Sequence, residues 1–483
     1  MTAALRTAVR VAALAGPVVI AFASGGFYDE ARQNGLIVVA VLLAVWALAG
    51  PGPLPRDRRA LIALGGLAGY CAWVAISTTW APRADIAHAD LERVLLYLGA
   101  FALGTTLWQC RRSARFVEPA IATGVFAVIA YGLAGRLLPG IVHLSVGRLS
   151  GSRLFQPLTY WNGEGELAAM GFILCARIAG DRERSGAVRM LAAAAAVPIG
   201  AALYLTFSRG AIVTLAGGLL VLLALAPTWT QLRAIALTVE AAAFGVAACA
   251  ALPGVNDLSG SVSDREADGA IALAVLLLVM LVAAATSAWA RRVETEERVR
   301  LGRLPFPARA PWIAAGIAVL LIIIPIAAAG TDHGPTSVPK FGETAGRLVS
   351  TGTNRYEYWK VALRTAVDNP LGGVGMGGFG TEWLKHRDID EVVRDAHSLY
   401  LETPAELGIL GLLLLALFIG GIAACARAAY RVDPGLTAGP IAALGAFALH
   451  TGIDWDWELP ALTLVALSLA GLLVSRSLDR TAD

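Results

Sequence analysis

Long apolar runs of about 17–23 residues recur along nearly the whole chain, each able to cross roughly 30 Å of hydrocarbon as a helix. The pattern predicts an all-α, polytopic integral membrane protein with about fourteen transmembrane helices. They fall near 9–25, 35–50, 60–80, 91–108, 116–138, 162–178, 190–207, 210–226, 234–252, 269–290, 310–330, 405–425, 436–453 and 459–475. Arginine tests this spacing, because connections on the cytoplasmic side hold an excess of basic residues. Alternate connections are indeed rich in it: Arg6 and Arg10; Arg56, Arg58 and Arg59; Arg111, Arg112 and Arg115; Arg182, Arg184 and Arg189; Arg291, Arg292, Arg298, Arg300 and Arg303; Arg427 and Arg431; Arg476 and Arg480. The opposite short connections hold chiefly Arg32, Arg83, Arg148, Arg153, Arg209 and Arg265. Both termini are therefore expected in the cytoplasm, and the polar stretch 331–404 outside it.

Composition agrees. Hydrophobic residues make up 57% of the chain and charged residues 16%, with a mean hydropathy of +0.65, well outside the range of water-soluble domains. The net charge of +3 reflects the cytoplasmic arginines, and no basic stripe with interleaved aromatics points to nucleic acid. The first run follows Arg6 and Arg10 as a signal peptide would, with Ala-Phe-Ala-Ser at 21–24 resembling a cleavage site. A second run follows almost at once, so it reads as a retained anchor. Five cysteines lie in spans or at their cytoplasmic edges, and no exported loop holds a pair, so no disulfide framework is expected.

Three organisational parts follow: membrane helices over 1–330, an extracytoplasmic loop subdomain over 331–404, and membrane helices over 405–483. Two lesser polar segments, 253–268 and 290–309, read as a loop and a solvated charged linker. Within the subdomain, Arg355 to Asp368 has helical spacing, with Tyr356, Trp359, Leu363 and Val367 on one face and Asn369-Pro370 as a stop. The run NPLGGVGMGGFG follows at 369–380. Gly375, Gly377 and Gly380 have dinucleotide-fingerprint spacing, but no strand precedes them and no crossover unit surrounds them. A tight loop whose backbone approaches an anion or the membrane helices fits better.

The strongest chemical signal lies at 395–411, DAHSLYLETPAELGILG. His397 is the one group of this segment that titrates near neutral pH. Asp395, two residues before it, can orient the ring or stand as a solvated carboxylate, and Glu406 reads as a helix-opening carboxylate after Pro404. Upstream, Tyr160, Trp161 and Asn162 stand where a span re-enters the membrane, with Glu164 and Glu166 a turn further in. Carboxylates in an apolar helix call for a cavity or a partner. Between the last two spans, Asp454-Trp455-Asp456-Trp457-Glu458 offers aromatic faces and carboxylates for a sugar on the side of His397. His450 and Glu240 read as packing residues only.

The order His-Ser, nine residues, Gly, two residues, Gly resembles the signature of the O-antigen ligase and O-antigen polymerase superfamily. TNRYEYWK at 353–360, NPLGGVGMGGF at 369–379 and HSLYLETPAELGILG at 397–411 are similar to its C-terminal block, in order and at similar distances. WVAISTTWAP at 73–82, LTYWNGEGELAAM at 158–170 and TFSRGAIVTLAGG at 206–218 are similar to further landmarks. Members commonly have about twelve spans, two fewer than the pattern gives here.

The resemblance implies a GT-C-like fold and transfer of a glycan from a polyprenyl-diphosphate carrier to an acceptor hydroxyl outside the cytoplasmic membrane. The partners would be that lipid-linked donor, a hydroxyl-bearing acceptor and the bilayer, with no nucleotide, metal or other cofactor. Arg209 and Arg355 would hold the diphosphate, where a guanidinium can grip two oxygens at once. His397 would be the general base. Asp395, Tyr356, Asn162, Asp454 and Asp456 would line the substrates. Three alternatives stay open: a polysaccharide polymerase of the same superfamily; a metal-dependent polyprenol glycosyltransferase, since Asp388-Ile389-Asp390 and Asp454-Trp455-Asp456 both read Asp-X-Asp; and a lipid-glycan transporter.

Overall fold

The computed structural model describes residues 3–49, 55–144, 147, 150–296, 302–307, 309–329, 348 and 353–478. Arg148, Arg298, Arg300, Arg480 and most of the stretch 331–352 lie outside the described residues. The described chain is helical: α1 (Ala3–Ala21), α2 (Asp29–Ala49), α3 (Arg58–Ser77), α4 (Ala84–Leu107), the short α5 (Arg111–Ala114), α6 (Val117–Leu137), α7 (Trp161–Gly180), α8 (Gly186–Leu205) and α9 (Arg209–Leu225). There follow α10 (Trp229–Ala250), the short α11 (Pro253–Asn256), α12 (Val262–Glu296), α13 (Ala310–Ala329), α14 (Arg355–Asp368), α15 (Phe379–His386), α16 (Leu399–Val432), α17 (Pro434–His450) and α18 (Pro460–Ser477).

Each of the fourteen apolar stretches falls on one of these helices. Among the described residues, nine are long and apolar enough to cross a membrane. The remaining five differ for visible reasons. Helices α9 and α17 have 17 residues each, α13 counts only over Ala310–Leu321, and α4 and α7 carry several ionisable side chains.

Burial runs opposite to that of a soluble protein. Val19, Leu48, Leu191, Leu278 and Leu281 are exposed on the outer helices, while Arg93, Glu118, Glu164, Glu166 and Asp454 are buried. Lipid is the solvent that rewards this arrangement, since apolar surface of this extent is costly in water. Helices α7 and α18 form the centre, with almost every residue buried. Helix α18 packs on α4 and α16, and α7 packs on α8, α9 and α17. The polar side chains of α7 must therefore find partners within the protein.

Helix entries follow local chemistry. Ser208, Ser185 and Asp433 accept from the free amides at the starts of α9, α8 and α17. Helix α16 is bent at Gly408, whose φ of +64° only a glycine adopts without strain. At that bend Ile409 N donates to the carbonyl of Pro370 at 2.8 Å, and a Cβ on Gly408 would lie 2.2 Å from the carbonyl oxygen of Leu371. The second glycine of the His-Ser signature region, Gly411, faces the Leu407 side chain one turn away.

Candidate functional site

The glycine-rich run is a dock, not an anion cradle. Val374 N and Gly375 N donate to the carbonyls of Ala405 and Glu406, and Met376 N donates to Ser77 Oγ. Gly373, Gly375 and Gly377 all take positive φ; Gly373 lies against α16, Gly375 against Ala81 in the turn between α3 and α4, and Gly377 against α4. The amides of Val374, Gly375 and Met376 are thus spent on the membrane helices, the second of the two roles expected for the run. Glu406 does not open α16, which begins at Leu399; its Oε1 accepts from Phe379 N at 2.9 Å and caps α15 instead. Helices α14 and α15 close over a small core of Tyr358, Val361, Ala362, Phe379 and Trp383. The inward face of α14 is therefore that of Tyr358, Val361, Ala362 and Thr365, while Leu363 and Val367 point outward. Tyr356 stacks against Trp359, with ring centroids 5.6 Å apart.

This dock holds His397 between two anchors. Ala396 N donates to Glu402 Oε2 at 2.5 Å, and Leu399 N donates to the carbonyl of Thr451 at 2.9 Å. His397 itself has a φ of +56°, a left-handed conformation that costs a non-glycine residue free energy. Its ring lies 5.3 Å from that of Tyr358 and 6.2 Å from that of Trp455. His397 Nδ1 is 3.0 Å from the carbonyl oxygen of Asp395. A carbonyl only accepts, so Nδ1 carries the proton and Nε2 keeps its lone pair. Burial, opposed by Asp454, depresses the histidine below its ordinary range and keeps it neutral near pH 7. The Asp395 main chain, and not its carboxylate, orients the ring.

Facing the histidine, the first residue of α14 meets the turn between α17 and α18. Arg355 forms an ion pair with Asp454, whose side chain is 1% exposed. Tyr160 Oη donates to Asp454 Oδ1 at 2.5 Å, Trp455 N donates to the same oxygen at 3.0 Å, and Asn162 Nδ2 donates to Tyr160 Oη at 2.8 Å. Burial alone would raise the Asp454 carboxyl, but Arg355, His397 and His450 outweigh it and hold it below the usual carboxylate range. Burial likewise opposes the charge on Arg355, and Asp454 more than restores it. Arg209 opens α9 next to the end of α17: a Cβ on Gly210 would lie 3.0 Å from His450 Nε2. The Arg209 guanidinium stands close enough to Arg355 for the two charges to repel.

Asp456 is turned away from this site. It lies fully buried with Oδ2 2.5 Å from His450 Nδ1, so it is no wall for a sugar, and His450 is more than a packing residue. The nearby Glu166 accepts from Thr214 Oγ1 at 2.6 Å. The pairing of His450 with Asp456 six residues on was not legible, since neither spacing nor composition marks it. Asp395 sits on the far side of the His397 loop with Glu402 and Glu458, their oxygens within 4.8 Å of one another. Burial pushes its carboxyl up to about 6 against the pull of Arg394. Glu458 is paired with Arg93 at 3.3 Å, and Glu402 accepts from Ala396 N. Of the Asp-X-Asp pairs, Asp388 binds Lys360 and Asp390 binds Arg387 on the surface, while Asp454 and Asp456 serve different partners.

Fold and site together define a helical, multi-pass membrane protein in which a docked loop presents a histidine to a half-buried arginine paired with a buried aspartate. Residues 193–416 match the family model described as O-antigen ligase, which supports placing the chain in the O-antigen ligase and polymerase superfamily. The match takes in Arg209, Arg355 and His397 and stops short of Asp454. No curated protein matches the chain. A ligase- or polymerase-type membrane enzyme is the function class that the family supports.

Proposed function

We propose that the protein transfers a glycan from a polyprenyl-diphosphate carrier to an acceptor hydroxyl at the extracytoplasmic face of the cytoplasmic membrane. The observation that carries the reading is a histidine with an available Nε2 lone pair beside the ion pair of Arg355 with the buried Asp454. The acceptor oxygen attacks the anomeric carbon as the bond to the diphosphate oxygen breaks. The hydroxyl proton passes to His397 Nε2, and the leaving diphosphate gains negative charge. Arg355 and Arg209, two guanidinium groups within mutual influence, stabilise that charge where it develops. Asp454, fixed by Tyr160 and the Trp455 amide, aims Arg355 and compensates the imidazolium once it forms. Asn162 orients the Tyr160 hydroxyl. Tyr356 and Trp359 supply apolar faces beside Arg355 for the carrier or its first sugar.

Deletion of the gene tests this reading. A lipid-linked glycan should accumulate and one surface polymer should disappear, with both reversed by the wild-type gene and neither by His397→Ala. An unchanged pool of polyprenyl-linked glycan in the deletion strain would sink it.

A further inference from the structure

A second site, away from His397, lies between the end of α6, the segment 150–156 and the start of α12. It is a cavity of about 370 Å³, lined by Arg136, Arg153 and Arg265 together with His143, Leu154 and Phe155. The volume falls in the range of small-molecule sites and is about ten times the roughly 30 Å³ share of one water, so a bare ion would leave it mostly empty. Arg136 is rigidly aimed, with Nη1 donating to the carbonyl of Val255 at 2.9 Å and Nη2 to that of Ser152 at 2.5 Å. Arg153 is 1% exposed, and its guanidinium lies 4.4 Å over the ring of Trp161. Arg265 is near enough to Arg136 for the charges to repel.

Asp257 attracts Arg136 from the side of α11, and Glu266 lies against Gly140 at the rim. The Arg136 and Arg265 charges repel at this cavity, and an oxyanion between them relieves both with charge-assisted hydrogen bonds. Phe155 and Leu154 add the apolar wall on which a pyranose face packs. The cavity backs onto the reaction site through a chain of contacts. Arg153 stacks on Trp161, the Trp161 ring is 5.3 Å from that of Tyr160, and Tyr160 binds Asp454.

We propose that this cavity is a subsite for an acidic sugar, a saccharide unit carrying a carboxylate or phosphate, in one of the glycan substrates. The proposal rests on the glycan-transfer reading for the word substrate, but the binding it asserts needs no turnover. An anionic lipid headgroup presents the same oxyanion chemistry, so the test separates the two sources. The full-length protein is placed in phosphatidylcholine nanodiscs, and saturation-transfer NMR is recorded with glucuronic acid and with glucose. Glucuronic acid should give the signal and glucose should not. Arg265→Gln, at the half-exposed start of α12, should weaken glucuronate binding at least tenfold, and Arg265→Glu should abolish it; melting temperatures establish that both variants fold. Arg355→Ala should keep the signal, which separates this cavity from the diphosphate site. Equal binding of glucose, no glucuronate signal, or indifference to both Arg265 variants overturns the proposal. Loss of the glucuronate signal only when phosphatidylglycerol is added, with phosphatidylglycerol bound more tightly by wild type than by Arg265→Gln, assigns the cavity to lipid and overturns it too. A His397→Ala enzyme that still transfers glycan would refute the catalytic reading while leaving these binding results untouched.

Discussion

Tyr160 Oη and Asp454 Oδ1 meet at 2.5 Å across 294 residues of sequence, joining the turn before α7 to the turn before α18. The contact ranks the two residues differently. Asp454 also holds Arg355 and the Trp455 amide, so it keeps partners if the phenol is lost, whereas Tyr160 spends its only proton there. A hydrogen bond to a charged group is worth about 1.5–3 kcal/mol. Tyr160→Phe keeps the ring packing against Trp455, 4.3 Å away, and should lower the transfer rate roughly ten- to a hundredfold at unchanged protein level. A rate within twofold of wild type would show that the phenol does not position Asp454 in the reaction.

The acid side of the pH profile follows from His397. The base acts in its neutral form, and burial holds its folded pKa below the ordinary value of 6.5. Asp454, held below the usual carboxylate range, remains ionised over the same interval. The log of kcat/KM should therefore stay level as pH falls through 6.5 and drop only below it. Asp454→Asn removes the group that favours the charged imidazole, so the limb should move to still lower pH in whatever activity remains. A limb centred at or above 6.5 in the wild type contradicts the assigned environment.

The sequence pattern placed every apolar helix, because a run able to cross lipid has few other ways to satisfy its backbone. It also placed α14 from Arg355 to Asp368, where helical spacing is followed by Asn369-Pro370. What periodicity could not supply was which residues meet. Asp454 and Asp456 are two residues apart and alike in composition, yet one faces Arg355 and the other His450. The intervening turn decides this, and only tertiary packing fixes the turn. Glu406 looked like the opening of a helix since Pro404 often marks one, but the helix starts at Leu399 and the carboxylate reaches across to Phe379. Arg93, paired with Asp90 and Glu458, was hidden because it follows Asp90 and Glu92 at the mouth of an apolar run, where charges read as a solvated helix start.

Gly408 tests the docking of the loop independently of chemistry. It combines φ +64° with a backbone oxygen 2.2 Å from where a Cβ would stand. Backbone strain and overpacking each cost about 1–3 kcal/mol. Gly408→Ala should lower the melting temperature in detergent and the yield of folded protein. Gly420→Ala, on the same helix with open space around it, should leave both unchanged. Equal melting temperatures for the two variants would mean that the bend at Gly408 does not hold the loop in place.

The division of labour between His397 and Arg355 makes the sharpest prediction, because the two residues share Asp454 yet act on opposite sides of the anomeric carbon, His397 on the incoming acceptor oxygen and Arg355 on the departing diphosphate. His397→Ala removes the proton acceptor and leaves both guanidinium groups, so donor binding should change less than about threefold, while the rate falls by the roughly 10²–10⁴ that a general base supplies. Arg355→Ala removes a charge-assisted contact worth about 1.5–3 kcal/mol, so donor affinity should fall roughly ten- to a hundredfold. It also leaves Asp454 buried with no cation from α14, so Arg355→Ala should destabilise the fold more than His397→Ala. Arg355→Lys keeps the charge but not the fork, and should recover stability more fully than turnover. Binding is measured with purified lipid-linked donor in nanodiscs, and turnover from product in the same preparation. A His397→Ala enzyme with normal donor affinity and more than about a tenth of the wild-type rate would remove the histidine from proton transfer. Unchanged donor affinity in Arg355→Ala would move the diphosphate elsewhere.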